Sequence, residues 1–117
     1  MPSIRDLVAA IRRRDGVEAA VVLGRDGLLI DGQAVPGLDA EDIAARIPSI
    51  IAPADDLAGA LARGHLVTAV LEYQQGFAVV SALSSEALLL VLVRPGANVG
   101  QLLFELRRNH GHIASLV

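Results

Sequence analysis

The chain has 117 residues, 53% hydrophobic and 20% charged, with a formal net charge of -3, a balance that excludes disorder and suits one domain spanning residues 1–117. Without a long basic run, and with two Phe and one Tyr as its only aromatics, it offers nucleic acid neither an electrostatic footprint nor stacking platforms. Cysteine and lysine are both absent, which removes disulfides, thiol catalysis, thiolate metal sites, Schiff-base chemistry and the phosphate-loop lysine of nucleotide hydrolases.

Arg5, Asp6 and the run Arg12 to Arg14 interrupt the apolar core that a signal peptide would need, so the chain is read as cytoplasmic and not membrane-inserted. Ser3 and Asp6 form a capping box, and Ile4, Leu7, Val8 and Ile11 share one stripe, predicting a first helix from about Ile4 to Arg14. Gly16 suits the left-handed residue that ends it, and Arg12 to Arg14 read as a solvated end favoured by the helix dipole. Val17 to Leu23 and Leu28 to Gln33 are predicted strands. The Arg25-Asp26-Gly27 between them supplies the positive φ that a hairpin requires. Gln33 to Leu38, with Pro36 and Gly37, is connecting loop.

Asp39, with Asp42 three residues on, caps a long second helix that runs to Arg63 and ends at Gly64. Ile43, Ile47, Ile50, Ala54, Leu57 and Leu61 recur at alternating steps of four and three, a heptad seam that Ala44, Ile51 and Ala58 widen. A stripe that wide can touch two surfaces, its own sheet and a partner helix. Pro48 and Pro53 each remove a backbone bond at about 3 kcal/mol, so a kink or a division into two helices is expected.

Leu66 to Tyr73 and Phe77 to Leu83 are predicted strands around the turn Gln74-Gln75-Gly76, and Ser84 to Glu86 leads to a fifth strand, Ala87 to Val93. These seven consecutive apolar residues are too few for a membrane helix and suit a central strand covered on both faces. Asn98 then caps a third helix, with Val99, Leu102, Leu103, Leu106, His110, Ile113 and Leu116 on one face and Gly111 as a weak point.

The chemistry-bearing residues do not assemble into a catalytic pattern. Gly96-Ala97-Asn98-Val99-Gly100 at a helix start could cradle a phosphate, but without a Lys or a following Ser/Thr it reads better as a capped turn. His110 and His112 diverge on a helix, so His110 reads as a packed residue rather than a metal ligand, and His65 as a loop residue. The carboxylate pairs Glu41-Asp42 and Asp55-Asp56 also diverge, leaving a solvated face or a partner-binding one. Phe104 either packs on the first helix or is exposed for a partner. No catalytic, cofactor-binding or metal residue is assigned.

The order helix, two strands, helix, three strands, helix resembles the Roadblock/dynein light chain family over nearly the whole chain. The residues that carry the likeness are Asp15-Gly16-Val17, Asp26-Gly27-Leu28, Ala40 to Ala45, and Gly96 to Leu103. The resemblance implies a mixed α/β fold of the α+β, Roadblock/profilin-like type: a five-stranded antiparallel sheet with one long helix on one face and two helices on the other. It also implies a homodimer in which the second helices pack together through Ile43, Ile47, Ile50, Ala54, Leu57 and Leu61. The strand Leu66 to Tyr73 then meets its mate through Leu66, Thr68, Val70 and Glu72. Bacterial relatives act on a small Ras-like GTPase, so the expected function is a non-catalytic dimeric regulator or scaffold of such a GTPase, stimulation of GTP hydrolysis being one form. The expected partner face is Glu41, Asp42, Arg46, Asp55, Asp56 and Arg63. The alternative is a small-molecule-binding or signalling sensor module of similar build.

Overall fold

In the computed structural model, which describes residues 3–117, the apolar run Ala87–Val93 (β5) is the middle strand of a five-stranded antiparallel sheet. Its neighbours are β1 (Val17–Gly24) and β4 (Gly76–Ala82), with β2 (Leu29–Ala34) and β3 (Thr68–Tyr73) at the rims, giving the order β2-β1-β5-β4-β3. The strand alternation divides β5 between two cores. Leu89 and Val91 join Val22 and Val79 beneath α1 (Ile4–Arg12), α4 (Val99–Arg108) and α5 (His110–Ala114), which contribute Val8, Ile11, Leu102, Leu106 and Ile113. Leu88 and Leu90 join Val21, Leu23 and Val80 beneath α2 (Ala40–Arg46) and α3 (Pro48–Ala60), which contribute Ala44, Ile47 and Ile51. Burying each such Leu or Val contributes about 1.5–3 kcal/mol, so neither helix layer is dispensable to β5.

The fold class is the one expected, and the helices differ in how they are divided. α1 has the Ser3/Asp6 capping box but ends at Arg12, and of its Arg run only Arg13 is the exposed end expected. Arg12 Nη1 donates to the Val17 carbonyl (2.9 Å), and Arg14 pairs with Glu105 of α4. The single long helix expected from Asp39 to Arg63 is two. Asp39 caps α2 as expected, Ile47 serves as the end of α2 and the start of α3, and Pro48 occupies the first turn of α3. Proline there has a preset φ and lacks only an N–H that would have no intrahelical partner. Pro53 lies inside α3 without ending it, so of the two prolines only Pro48 divides the segment. The hairpin turn comes close at this junction: Gly27 (φ +89°) would place a Cβ 3.2 Å from Pro48 and 3.4 Å from the Ala45 backbone.

The expected third helix is also two, broken two residues before Gly111. The Asn109 side chain donates to the Glu105 carbonyl (2.9 Å) beside its own backbone N–H (3.0 Å), Asn109 leaves the helical conformation (φ −101°, ψ 8°), and α5 restarts at His110. α3 ends at Ala60 rather than at Arg63. Ala62 takes the left-handed conformation (φ 55°), while the N–H groups of Ala62 and Arg63 reach back to the Gly59 and Ala58 carbonyls at 3.1 and 3.0 Å. This is the paired closure that glycine usually makes, and alanine holds it at a steric cost. Replacing Ala62 by Gly should therefore raise unfolding stability by about 0.5–1 kcal/mol, read as a higher urea midpoint with unchanged slope.

Candidate interaction surface

A sheet of this order leaves a row of backbone groups on β2 and on β3 with no neighbouring strand. In an antiparallel ladder, residues bonded across the pair alternate with residues whose N–H and C=O point the other way. The Ala82 N–H donates to the Val67 carbonyl (2.9 Å), and pairing runs without a bulge from Thr68↔Ser81 to Tyr73↔Gly76. Thr68, Val70 and Glu72 therefore turn their backbone groups to the open rim. On the opposite rim the Val35 N–H donates to the Glu18 carbonyl (2.9 Å), so the same alternation turns Gly32 and Ala34 outward. There the Asp31 carboxylate accepts the Gly32 N–H (2.8 Å). A charged side chain folded over an outward donor discourages a further strand on β2. The β3 rim is instead flanked by exposed Val67, Val70 and Tyr73, with Val70 44% exposed.

α3 adds a second surface. Ile47 and Ile51 enter the core, while Ile50, Leu57 and Leu61 stay outside, the last two each 58% exposed. Leu57 and Leu61 are one turn apart on the same face, and Gly59 between them has open space around it. The chain from α3 to β3 is tied back by Asp55, whose Oδ1 accepts the Leu66 N–H (2.8 Å) while its Oδ2 lies 3.7 Å from Arg25 Nη1. That tie fixes where the rim strand begins.

A family model described as the Roadblock/LC7 domain matches residues 4–93. The chain belongs to the Roadblock/LC7 family. Among solved structures, Myxococcus xanthus MglB is similar with a TM-score of 0.87 at 12% identity, over 97% of this chain and 93% of that one. The gliding protein MglB of Thermus thermophilus has a TM-score of 0.83 at 16% identity, covering 97% of this chain and 87% of that one. A Roadblock/LC7 domain from Streptomyces avermitilis has a TM-score of 0.83 at 20% identity, covering 96% and 95%. At these identities the likeness is one of fold. No sequence among the curated proteins matches significantly.

The Roadblock fold distributes the expected interface residues unevenly. Ile50, Leu57, Leu61, Val70 and Glu72 are exposed, Ile43, Ala54, Leu66 and Thr68 are half-buried, and Ile47, 5% exposed, is taken up by its own sheet. The expected partner face is less acidic than its residue list suggests. Asp42 pairs with Arg46 (3.1 Å), a contact whose hydrogen bond and charge hold the Arg46 guanidinium above its ordinary pKa. Asp55 is engaged by Leu66 and Arg25, so that among the described residues Glu41, Asp56 and Arg63 are the exposed groups of that set outside these ion pairs, Asp42 and Arg46 being exposed but paired. His110 is packed, with Nε2 2.8 Å from the Ala82 carbonyl; because a carbonyl only accepts, Nε2 carries the proton. Phe104 does not pack away on α1 and is 62% exposed. Among the described residues, no helix is long and apolar enough to cross a membrane.

Sequence reading misses Arg25, Asp31 and the structural role of Asp55. Asp31 could be suspected only once β2 is known to be a rim, and Asp55 meets its partners through the fold rather than through helical spacing. Changing Asp55 to Ala should leave the half-buried Leu66 N–H without an acceptor and cost about 1–3 kcal/mol. Faster amide exchange at Leu66, Val67 and Thr68 would report the freed strand start, and unchanged exchange there would show that the tie is idle.

Proposed function

We propose that residues 1–117 act as one Roadblock unit that pairs as a symmetric homodimer through β3 and the outer face of α3. The dimer serves in the cytoplasm as a non-catalytic regulator or scaffold of a small Ras-like GTPase. The observation that carries this reading is the unequal pair of rims: β3 offers unpaired backbone groups beside exposed Val70, with Leu57 and Leu61 exposed on α3, whereas Asp31 guards β2. Pairing two copies at β3 would satisfy both rims at once and join two five-stranded sheets into one. The fold it shares with MglB, a gliding protein in Thermus, fits this regulatory reading. Changing Val70 to Arg or Leu57 to Glu should shift sedimentation toward monomer. A wild-type protein that stays monomeric from micromolar to millimolar concentration would overturn the assembly.

In this reading the exposed polar groups beside the α3 seam receive the GTPase. Two copies side by side double the charge of Glu41 and Asp56, which steers a partner with a basic surface mainly through the association rate. Arg46 is engaged by Asp42, so stimulation of hydrolysis would come from ordering the GTPase's own switch loops rather than from an inserted cation, with Arg63 as the exposed exception. Changing Glu41 and Asp56 together to Arg, with Asp55 left intact to hold the loop, should slow association with a small GTPase encoded beside this chain by about tenfold at low salt. Association at the wild-type rate would move the site off this helix face. The protein alone should turn over no nucleotide.

A further inference from the structure

A cleft of about 480 Å³ opens where the α3–β3 connection, the β4–β5 connection and the start of α5 meet. Its apolar wall is Leu66, Val67, Ala82 and Leu83, and its polar groups are Arg25, Asp55, His65, Ser84, Ser85 and His110. That is the size and make-up of a small-molecule site: mostly apolar, with a few convergent polar groups. The charges are poorly matched to one another. Arg25 Nη2 lies 3.5 Å from the Ser84 carbonyl and Nη1 lies 3.7 Å from Asp55, both at or beyond the limit of a useful hydrogen bond. Its Nε is enclosed and has no hydrogen-bond partner among the described residues. A guanidinium presents five donors in a fixed fork, and here none is well used.

The acceptors, in contrast, are mostly occupied, Asp55 Oδ2 being the loosely held exception. Asp55 Oδ1 holds the Leu66 N–H at 2.8 Å, and the Ala82 carbonyl holds His110 Nε2 at 2.8 Å. Ser84 Oγ accepts from the Glu86 and Ala87 N–H groups, both at 3.1 Å, which turns its own proton elsewhere. The unspent capacity is on the donor side, so the fitting ligand brings acceptors. A carboxylate matches the guanidinium fork, while a second negative charge would face Asp55 across the cleft. We infer that this cleft binds a small organic monocarboxylate, with its carboxylate on Arg25 and its apolar body against Leu66, Val67 and Leu83. The site involves no nucleotide and no GTPase, so it stands or falls separately from the function proposed above. Because His65, Leu66 and Val67 lead directly into β3, a bound ligand would also order the segment that precedes the open rim.

The test is titration of the isolated full chain with phenylacetate and with 4-methylpentanoate, followed by backbone NMR, beside the primary amide of each acid. Saturable shifts at His65, Leu66, Val67 and Ser85 are expected, with the amides weaker by about tenfold for loss of the charge-assisted contact. Arg25→Gln should reduce the acids to the affinity of the amides while leaving the amides unchanged. Ser85→Trp, on an exposed loop and outside both cores, should block acid and amide alike, and it keeps the question open to test if Arg25→Gln does not fold. Equal binding of acid and amide, undiminished binding of the acids by Arg25→Gln, or no saturable shift up to about 50 mM, weaker than any useful site, would each overturn the inference.

Discussion

The two-sided burial of β5 is the constraint from which the rest of the molecule follows. A strand with apolar side chains on both faces must be covered twice, so the sheet is held between α1, α4 and α5 on one side and α2 and α3 on the other. Antiparallel neighbours β1 and β4 then enclose it laterally, and the chain has β2 and β3 left to place at the rims. Rims are unavoidable in an open sheet. What distinguishes this protein is how differently its two rims are treated.

At β2 the outward Gly32 donor is already satisfied within the strand by Asp31. At β3 the outward row is accompanied by exposed Val70 and by the exposed apolar residues of α3. The same helix therefore has two duties along its length. Ile47 and Ile51 hold it to its own sheet, and Ile50, Leu57 and Leu61 face away. A seam this wide lets one helix serve both surfaces, and the division at Pro48 tilts neither duty out of reach because the buried residues lie on both sides of the junction, Ala44 in α2 and Ile51 in α3.

The long-range polar contacts set positions rather than supply bulk stability. Arg14 with Glu105 joins the turn after α1 to α4, residues 91 apart in sequence, and Arg94 with Asp15 closes the turn below β5 at 3.0 Å. Both pairs are partly solvated, where an ion pair contributes little to stability. The Asp55 to Leu66 bond is different in kind, since it satisfies a backbone donor just ahead of the β3 rim. Beside it lie the cleft and the enclosed Nε of Arg25, so the tie that sets the strand start also lines the cleft.

The sequence determined what depends on local pattern. Seven apolar residues mark β5 as the centre, Asp-Gly and Gln-Gly mark the hairpin turns, and Ser3, Asp39 and Asn98 mark three helix starts. Together with motifs such as Gly96 to Leu103 they carry the likeness to the Roadblock family in the sequence itself. Helix ends are less legible, because Ala62 closes α3 in a role expected of Gly64, and the last helix breaks at Asn109 rather than at the weak point Gly111. The heptad seam was visible, but which of its residues would face inward was not: a helix can be rotated against its sheet without changing its periodicity, and only packing commits Ile47 to the core and Leu57 to the surface. Likewise Asp55 is one more acid in the list of residues, and Arg25 of the β1–β2 turn reaches it only in the folded chain, whereas the pairing of Asp42 with Arg46 four residues on follows from helical spacing. Charge is written in the sequence, and its cancellation between distant elements depends on distances that tertiary structure decides.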